Sequence, residues 1–220
     1  MILDIDETSY MRWGAIILAA AAVILYAFSF YEPYWKFTLL APQYPDGLTL
    51  HIFLDHLTGD VREIDGLNHY IGMESLEKAA TFEKSIAHWA VGGLAALVLA
   101  GGLFVNRFLN KIAALGAILF PVGFLLDSFY WLYTFGNNLD PRAPINLDPF
   151  TPTLIGEGTV GQFRTIAGPE LGFWLATIAA LLAVGSWWLN RRYRLSEAAG
   201  VPAEAGPERG GEAPQSLAAQ

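Results

Sequence analysis

The chain has 220 residues, of which 54% are hydrophobic and only 15% charged, so it is too apolar for an ordinary soluble domain. It contains no cysteine, which excludes disulfides, thiol redox chemistry and cysteine-based metal transport. The formal net charge is -8 at pH 7, and we expect no nucleic-acid partner.

Four apolar stretches, each about twenty residues long, predict membrane-spanning helices at 11–30, 86–105, 112–133 and 171–189. At about 1.5 Å rise per residue, each can cross a hydrocarbon core about 30 Å thick. None carries the polar stripe of a helix at the surface of a soluble bundle. The sequence therefore predicts an all-α membrane protein with four transmembrane helices in contact with the lipid bilayer.

Basic residues near the ends of the spans predict the orientation. Arg107 and Lys111 lie in the short segment 106–111 between the second and third spans, and Arg191 and Arg192 follow the fourth. Positive charge near span ends favours the cytoplasm, and with four spans both groups lie on one side. We therefore expect a multi-pass protein of the cytoplasmic (inner) membrane with both termini in the cytoplasm.

This orientation divides the chain as follows. The cytoplasmic parts are the N-terminus 1–10, the turn 106–111 and a disordered tail at 190–220; the extracytoplasmic parts are the first loop at 31–85 and the second loop at 134–170. Aromatic residues at the outer ends of the spans are expected to form interfacial belts: Tyr31, Tyr34, Trp35, Tyr130, Trp131, Phe173 and Trp174.

The first loop has the pattern of a small folded unit. Residues 48–55 alternate as in a strand, Thr58 to Asp60 form a turn, and the apolar spacing of 61–73 suits a short helix. In such a helix His69 and Met73 are four residues apart and share a face. The second loop is rich in proline and has too few apolar residues for its own core, which predicts an irregular but ordered flap or, alternatively, a disordered linker. Together the loops predict a small extracytoplasmic α+β cap.

His69 and Met73 are candidate copper ligands, because a thioether and an imidazole without cysteine suit copper(I) on the oxidising side of a membrane. The alternative is a structural role for His69 in holding the short helix against the loop. His88 and Asp127 are weaker candidates for metal binding. They lie in one layer near the outer ends of their spans, where a hydrogen bond between them, or from Asp127 to Tyr130, would reduce the cost of a carboxylate in the membrane.

Other cofactors and reactions have no support in the sequence. Haem bound by two histidines needs a histidine on each of two facing spans, and only the second span has one. No hydrolase motif or activated nucleophile is present, so nothing favours an enzyme, although His88, Asp127 and Tyr130 could line a pocket.

Four phrases resemble the uncharacterised four-span membrane proteins that are encoded with nitrous-oxide reductase (nos) maturation genes. They are APQYP at 41–45, LNHYIGM at 67–73, NLDP at 138–141 and LIG at 154–156, so both loops carry the likeness and the spans match only in hydrophobicity. The resemblance implies a part in supplying or assembling an extracytoplasmic copper enzyme. The resemblance implies that His69 and Met73 are residues of the shared motif, but it does not extend to His51 or His56.

The sequence thus leads to the hypothesis of a membrane accessory or assembly factor that assists copper supply to, or maturation of, a copper enzyme such as nitrous-oxide reductase in denitrification. It would work with a membrane or periplasmic protein partner. The main alternative is a structural or docking subunit of a respiratory or transport complex without a metal of its own. A third alternative is a transporter or small membrane enzyme that uses Asp127 and His88.

Overall fold

A computed structural model gives the fold and describes residues 7–160 and 163–200. The helices are α1 Glu7–Phe30, α2 Val61–Ile71, α3 Thr81–Leu103, α4 Arg107–Asn137 and α5 Leu171–Gly200. Four of them, all except α2, are long and apolar enough to cross a membrane. Three predicted spans fall within α1, α4 and α5, and the span predicted at 86–105 extends two residues beyond the end of α3. The prediction of four long apolar helices with a small α+β region is confirmed.

Two predicted boundaries are wrong. The turn between α3 and α4 covers only 104–106, so Arg107 and Lys111 lie on α4 instead of in a loop. Asn106 explains the early start, because its side chain accepts hydrogen bonds from the N–H groups of Phe108 and Leu109 as an N-cap. The predicted disordered tail begins too early as well, since α5 continues to Gly200. The rest of that tail, 201–220, and residues 1–6 of the N-terminus lie outside the described residues.

Small residues allow the long helices to pack closely. Ala15, Ala19 and Ala22 are buried on α1, and Ala176, Ala179 and Ala183 are buried on α5. Such residues let helix backbones approach each other, as is common between membrane helices. Gly102 of α3 is an example, because a Cβ atom there would lie 2.3 Å from the Cβ of Ala19.

The two loops fold together into one antiparallel sheet. Its strands are β1 Trp35–Ala41, β2 Tyr44–Ile52, β3 Leu57–Gly59, β4 Gly156–Val160 and β5 Phe163–Pro169, in the order β3-β2-β1-β5-β4. Strand β1 pairs with β2 of its own loop and with β5 of the second loop. We call the sheet, α2 and their connecting segments the cap.

The prediction of an irregular second loop is wrong for 156–160 and 163–169, which form β4 and β5. The loop does not need a core of its own, because β5 completes the sheet that the first loop begins. Phe163 and Ala167 of β5 are buried, and Phe163 packs in one cluster with Ala41 and Ile71 of the first loop. The strands become stable only through this pairing between distant segments.

The cap is joined to the bundle by two aromatic residues that were expected in an interfacial belt. Tyr34 and Trp35 are instead buried, at 0% and 1% exposure. The indole Nε1 of Trp35 donates to the carbonyl of Leu154 at 2.8 Å, and the Tyr34 hydroxyl lies 2.9 Å from Ser29 Oγ. Because Ser29 donates its own proton to the carbonyl of Tyr26, the Tyr34 hydroxyl is the donor. Burial raises the pKa of this hydroxyl well above its usual range.

Candidate functional site

Helix α2 ends before the residue that was predicted to share its face with His69. Its last residue is Ile71, and Gly72 adopts a left-handed conformation with φ 81°. The N–H groups of Gly72 and Met73 donate to the carbonyls of His69 and Asn68, which terminates the helix as glycine commonly does. Met73 therefore lies beyond the helix, and the four-residue spacing does not place it beside His69 on a helical face.

The two copper candidates have different surroundings. His69 is exposed in the last turn of α2, and its ring contacts that of Tyr70 at a centroid distance of 6.4 Å. Met73 is partly buried and packs against the apolar cluster that contains Ile71 and Phe163. Its thioether thus contributes to the interior of the cap, whereas the His69 imidazole faces outward.

Two of the phrases that carry the family resemblance meet at the end of α2. The N–H of Asp140 donates to the carbonyl of Gly72 at 2.9 Å, and the N–H of Ile145 donates to the carbonyl of Tyr70 at 3.0 Å. We call the exposed surface at this meeting point the loop-junction patch; it comprises His69, Tyr70, Asp140, Arg142 and Ile145.

The patch contains a local ion pair. The Oδ1 atom of Asp140 accepts from the backbone N–H of Arg142 at 2.9 Å and from its Nε at 3.2 Å. These hydrogen bonds, helped by the nearby charge of His69, hold the pKa of the Asp140 carboxyl below its ordinary value. The patch therefore presents a carboxylate and a guanidinium beside an exposed tyrosine.

The other two histidines of the cap pair with carboxylates. His51 Nδ1 lies 2.7 Å from Glu170 Oε2 and so connects β2 to the residue before α5. His56 Nδ1 lies 2.6 Å from Asp55 Oδ1, and its ring stacks on Phe53 at 4.3 Å. The first contact joins two distant segments of the chain, whereas the second is local.

His88 and Asp127 do not form the hydrogen-bonded pair that the sequence suggested, as far as the described residues show. The buried face of α3 runs through Ala87, Val91 and Leu94, and His88 lies beside this face, exposed and next to Trp89. Asp127 instead lines a cavity of about 420 Å³ between α3, α4 and the sheet.

Of the three residues that the sequence suggested could line a pocket, His88, Asp127 and Tyr130, Asp127 lines this cavity and the other two do not. Its walls are apolar apart from five side chains in the parts of α3 and α4 nearer the cap: Glu83, Lys84, Asp127, Ser128 and Trp131. The Lys84 ammonium donates to the carbonyl of Glu77 at 3.4 Å. Because these polar residues come from two helices, α3 and α4, no local motif indicated that they would converge.

A smaller chamber of about 140 Å³ adjoins the cavity inside the cap. Both spaces are lined by Phe37, Leu50, Ile52, Met73, Leu76 and Leu132. Asn68 and Thr165 also line the smaller chamber, and their Nδ2 and Oγ1 atoms are buried without a hydrogen-bond partner among the described residues.

In the described residues, 7–160 and 163–200, there is no group of three or more histidine, aspartate and glutamate side chains that could hold a metal ion. No protein-family model and no curated protein matches this chain. The two candidate functional features are the exposed loop-junction patch and the two adjoining cavities, which share wall residues.

Proposed function

We propose that the protein is an accessory factor of the cytoplasmic membrane that assists the assembly of, or copper supply to, an extracytoplasmic copper enzyme such as nitrous-oxide reductase. The supporting observation is the loop-junction patch, where the phrases at 67–73 and 138–141 are hydrogen-bonded to each other. These are two of the phrases that resemble proteins encoded with nos maturation genes. The patch would be the surface that contacts the enzyme or its assembly partners.

The composition of the patch suits contact with a protein. Tyr70 is 56% exposed and Ile145 is 44% exposed, and they lie beside the Asp140–Arg142 pair. Exposed aromatic side chains and arginine are enriched where proteins bind one another. The same observation supports the second candidate, a docking subunit of a respiratory or transport complex.

The patch is also held in a fixed position relative to the bundle. The second loop is anchored at Gly136, whose carbonyl accepts from the N–H of Phe150 at 3.0 Å, and at Leu154, which accepts from Trp35. A surface that is ordered in this way loses little conformational entropy when it binds. This favours a docking role over a flexible tether.

The proposal requires the cap to lie outside the cytoplasm. The 104–106 turn and the basic residues that follow α3 and end α5 lie at the opposite end of the bundle from the cap. Because the natural chain has no cysteine, single cysteines can report the topology directly. An impermeant thiol reagent applied to intact cells should label Asn138→Cys and spare Lys111→Cys, and the reverse pattern would refute the orientation.

The functional test uses matched charge reversals in a host that carries the copper enzyme. Deleting the protein should lower the copper content and activity of that enzyme. Arg142→Glu, in the patch, should reproduce much of this loss, whereas Arg62→Glu, exposed at the start of α2, should not. Full enzyme maturation in the deletion strain would exclude the accessory role. Stoichiometric co-purification with a respiratory complex would favour the docking subunit.

Direct copper handling needs its own test, since His69 and Met73 have different surroundings. Met73→Leu removes the thioether but keeps most of the apolar volume in the cap. If the protein carries copper(I) itself, both His69→Ala and Met73→Leu should weaken copper(I) binding to the purified protein by about tenfold or more. Unchanged binding in both variants would leave a docking role without a metal.

A further inference from the structure

The larger cavity lies where α3 and α4 separate. The two helices are close near their shared turn, where a Cβ atom on Gly101 would lie 2.9 Å from the Cβ of Ala113. Near the cap they diverge, and a Cβ atom on Gly123 of α4 would meet nothing within 4 Å. The 420 Å³ cavity occupies the gap between the two helices and extends to the sheet of the cap.

The opening faces sideways from the bundle. Ile86 of α3 and Leu119 of α4 line the cavity and are 39% and 53% exposed. Both belong to helices that can cross a membrane, so their exposed sides would contact hydrocarbon. An apolar molecule could therefore enter from the bilayer between α3 and α4 without crossing water.

The smaller chamber, inside the cap, also has polar atoms in its wall. Asn68 is only 8% exposed, and its Nδ2 atom has no hydrogen-bond partner within the described parts of the chain. Thr165 Oγ1 is likewise unpartnered within the described residues. The Asn68 amide N–H groups can only donate, so an occupant that satisfies them must offer acceptor atoms. A buried donor without a partner costs about 1–3 kcal/mol, which an acceptor on a ligand would recover.

The charged side chains of the larger cavity limit which acceptor groups an occupant can carry. Glu83 and Asp127 place two carboxylates in the larger cavity against the one ammonium of Lys84. An anionic head group would be repelled by this balance and would lose its hydration against the apolar walls. A neutral carbonyl oxygen accepts from the same donors without that penalty.

We propose that the two adjoining cavities together bind one membrane lipid with a long apolar tail and an uncharged, carbonyl-bearing head. The tail lies between α3 and α4, and the head extends past Trp131 toward Asn68 and Thr165. A volume of about 420 Å³ is in the range of sites that bury small organic ligands. Prenylated quinones and diacylglycerols both have this chemistry. The proposal does not depend on the accessory role, because it rests on the cavity alone.

Two leucine substitutions on the long helices provide a matched test. Gly123→Leu projects a side chain into the cavity, whereas Gly93→Leu, on α3, projects one into open space that is not part of the cavity. Neither meets a neighbour within 4 Å, and both replace a helical glycine with a better helix former, so both variants should fold. Any difference in ligand binding between them therefore reports on the cavity.

The probes are a decyl-chain benzoquinone, dioleoylglycerol and anionic dioleoylphosphatidylglycerol, bound to the purified full chain in detergent and measured by native mass spectrometry. We expect one neutral probe to bind at one per chain to the natural protein and to Gly93→Leu, and at least tenfold more weakly to Gly123→Leu. Asn68→Leu should also weaken it, by about tenfold, because a hydrogen bond is lost.

The neutral probe that binds indicates which class of lipid the cavities hold. Binding of the quinone indicates a lipid with a ring carbonyl, and binding of dioleoylglycerol indicates one with an ester carbonyl. Three results would overturn the proposal: preferential binding of the anionic lipid, equal binding of a neutral probe to Gly123→Leu and Gly93→Leu, or no binding of either neutral probe to the natural protein.

Discussion

The carbonyl of Gly72 accepts a 2.9 Å hydrogen bond from the backbone N–H of Asp140, and this contact joins the end of α2 to the second loop. The contact depends on glycine in two ways. Gly72 has φ 81°, which a residue with a side chain rarely adopts, and a Cβ atom there would lie 2.8 Å from the Asp140 carbonyl oxygen. The geometry of the loop-junction patch therefore depends on this position.

Gly72→Ala should separate the two loops at the patch. The added methyl group would meet the backbone of Asp140 and force a left-handed alanine, at a combined cost of about 1–3 kcal/mol. Amide exchange of Asp140 and Ile145 should accelerate in this variant. Gly66→Ala is the control, because Gly66 lies within α2 and a Cβ there meets nothing within 4 Å. That change should stabilise α2 by up to about 1 kcal/mol. Similar exchange rates in both variants would contradict the prediction.

The 140–143 turn should loosen in acid. Its Asp140 carboxylate accepts two hydrogen bonds from Arg142, and these hold its pKa below the ordinary value. A lowered pKa in the folded state adds stability that is complete above the unfolded pKa and disappears as the pH falls through the folded one. Amide exchange of Arg142 and Ala143, corrected for intrinsic rates, should therefore accelerate below about pH 4. Asp140→Asn should remove this pH dependence, and a turn equally protected at pH 2 and pH 6 would refute it.

The long helices were predictable from the sequence, whereas most of the sheet was not. A continuous apolar run of membrane-spanning length is a local signal, and α1, α3, α4 and α5 each carry one. Strand β5 has no such signal, because its partner β1 lies more than a hundred residues away and buries Phe163 and Ala167 only after pairing. Trp35 was expected at the membrane interface because it follows the first span in the sequence. Its burial also depends on distant residues and has no local signal.

The candidate site was predictable only in part. The phrase at 67–73 drew attention to the right segment, but Gly72 ends α2 and separates the environments of His69 and Met73. A glycine followed by a break in helical periodicity was the signal that could have shown this. The cavity had no equivalent signal. Asn68, Trp131 and Thr165 lie on three different elements, and only the folded chain shows that their polar atoms are buried near the same space.

Trp35→Phe should destabilise the joint between cap and bundle. The indole is 1% exposed, packs against Phe173 at a centroid distance of 5.5 Å and donates to the carbonyl of Leu154. Phenylalanine leaves that carbonyl without its donor and leaves part of the site unfilled, at a cost of about 2–4 kcal/mol. Thermal unfolding in detergent measures the change. Trp174→Phe is the control, because Trp174 is 53% exposed and its replacement should alter stability by less than about 0.5 kcal/mol.

Arg12 and Asn190 should act as one unit at the end of the bundle away from the cap. Arg12 Nη1 donates to the carbonyl of Gly102 at 2.8 Å and to Asn190 Oδ1 at 3.0 Å, and Asn190 Nδ2 donates to the carbonyl of Gly101 at 3.1 Å. The last carbonyl groups of α3 have no N–H donors further along their own helix, so the Arg12 and Asn190 side chains satisfy acceptors that would otherwise be unpaired. The guanidinium charge also complements the negative end of the helix dipole.

A double-mutant cycle tests this unit. Asn190→Ala and Arg12→Ala should each cost about 1–3 kcal/mol, because each leaves buried polar groups unpaired. The double variant should lose less than the sum, since either change already breaks the contact between the two side chains, and a coupling of about 0.5–3 kcal/mol is expected for residues in one network. Lys111→Ala, an exposed change on α4, serves as the control for the loss of a positive charge near the same end. Strict additivity of the two single changes would show that Arg12 and Asn190 stabilise α3 independently.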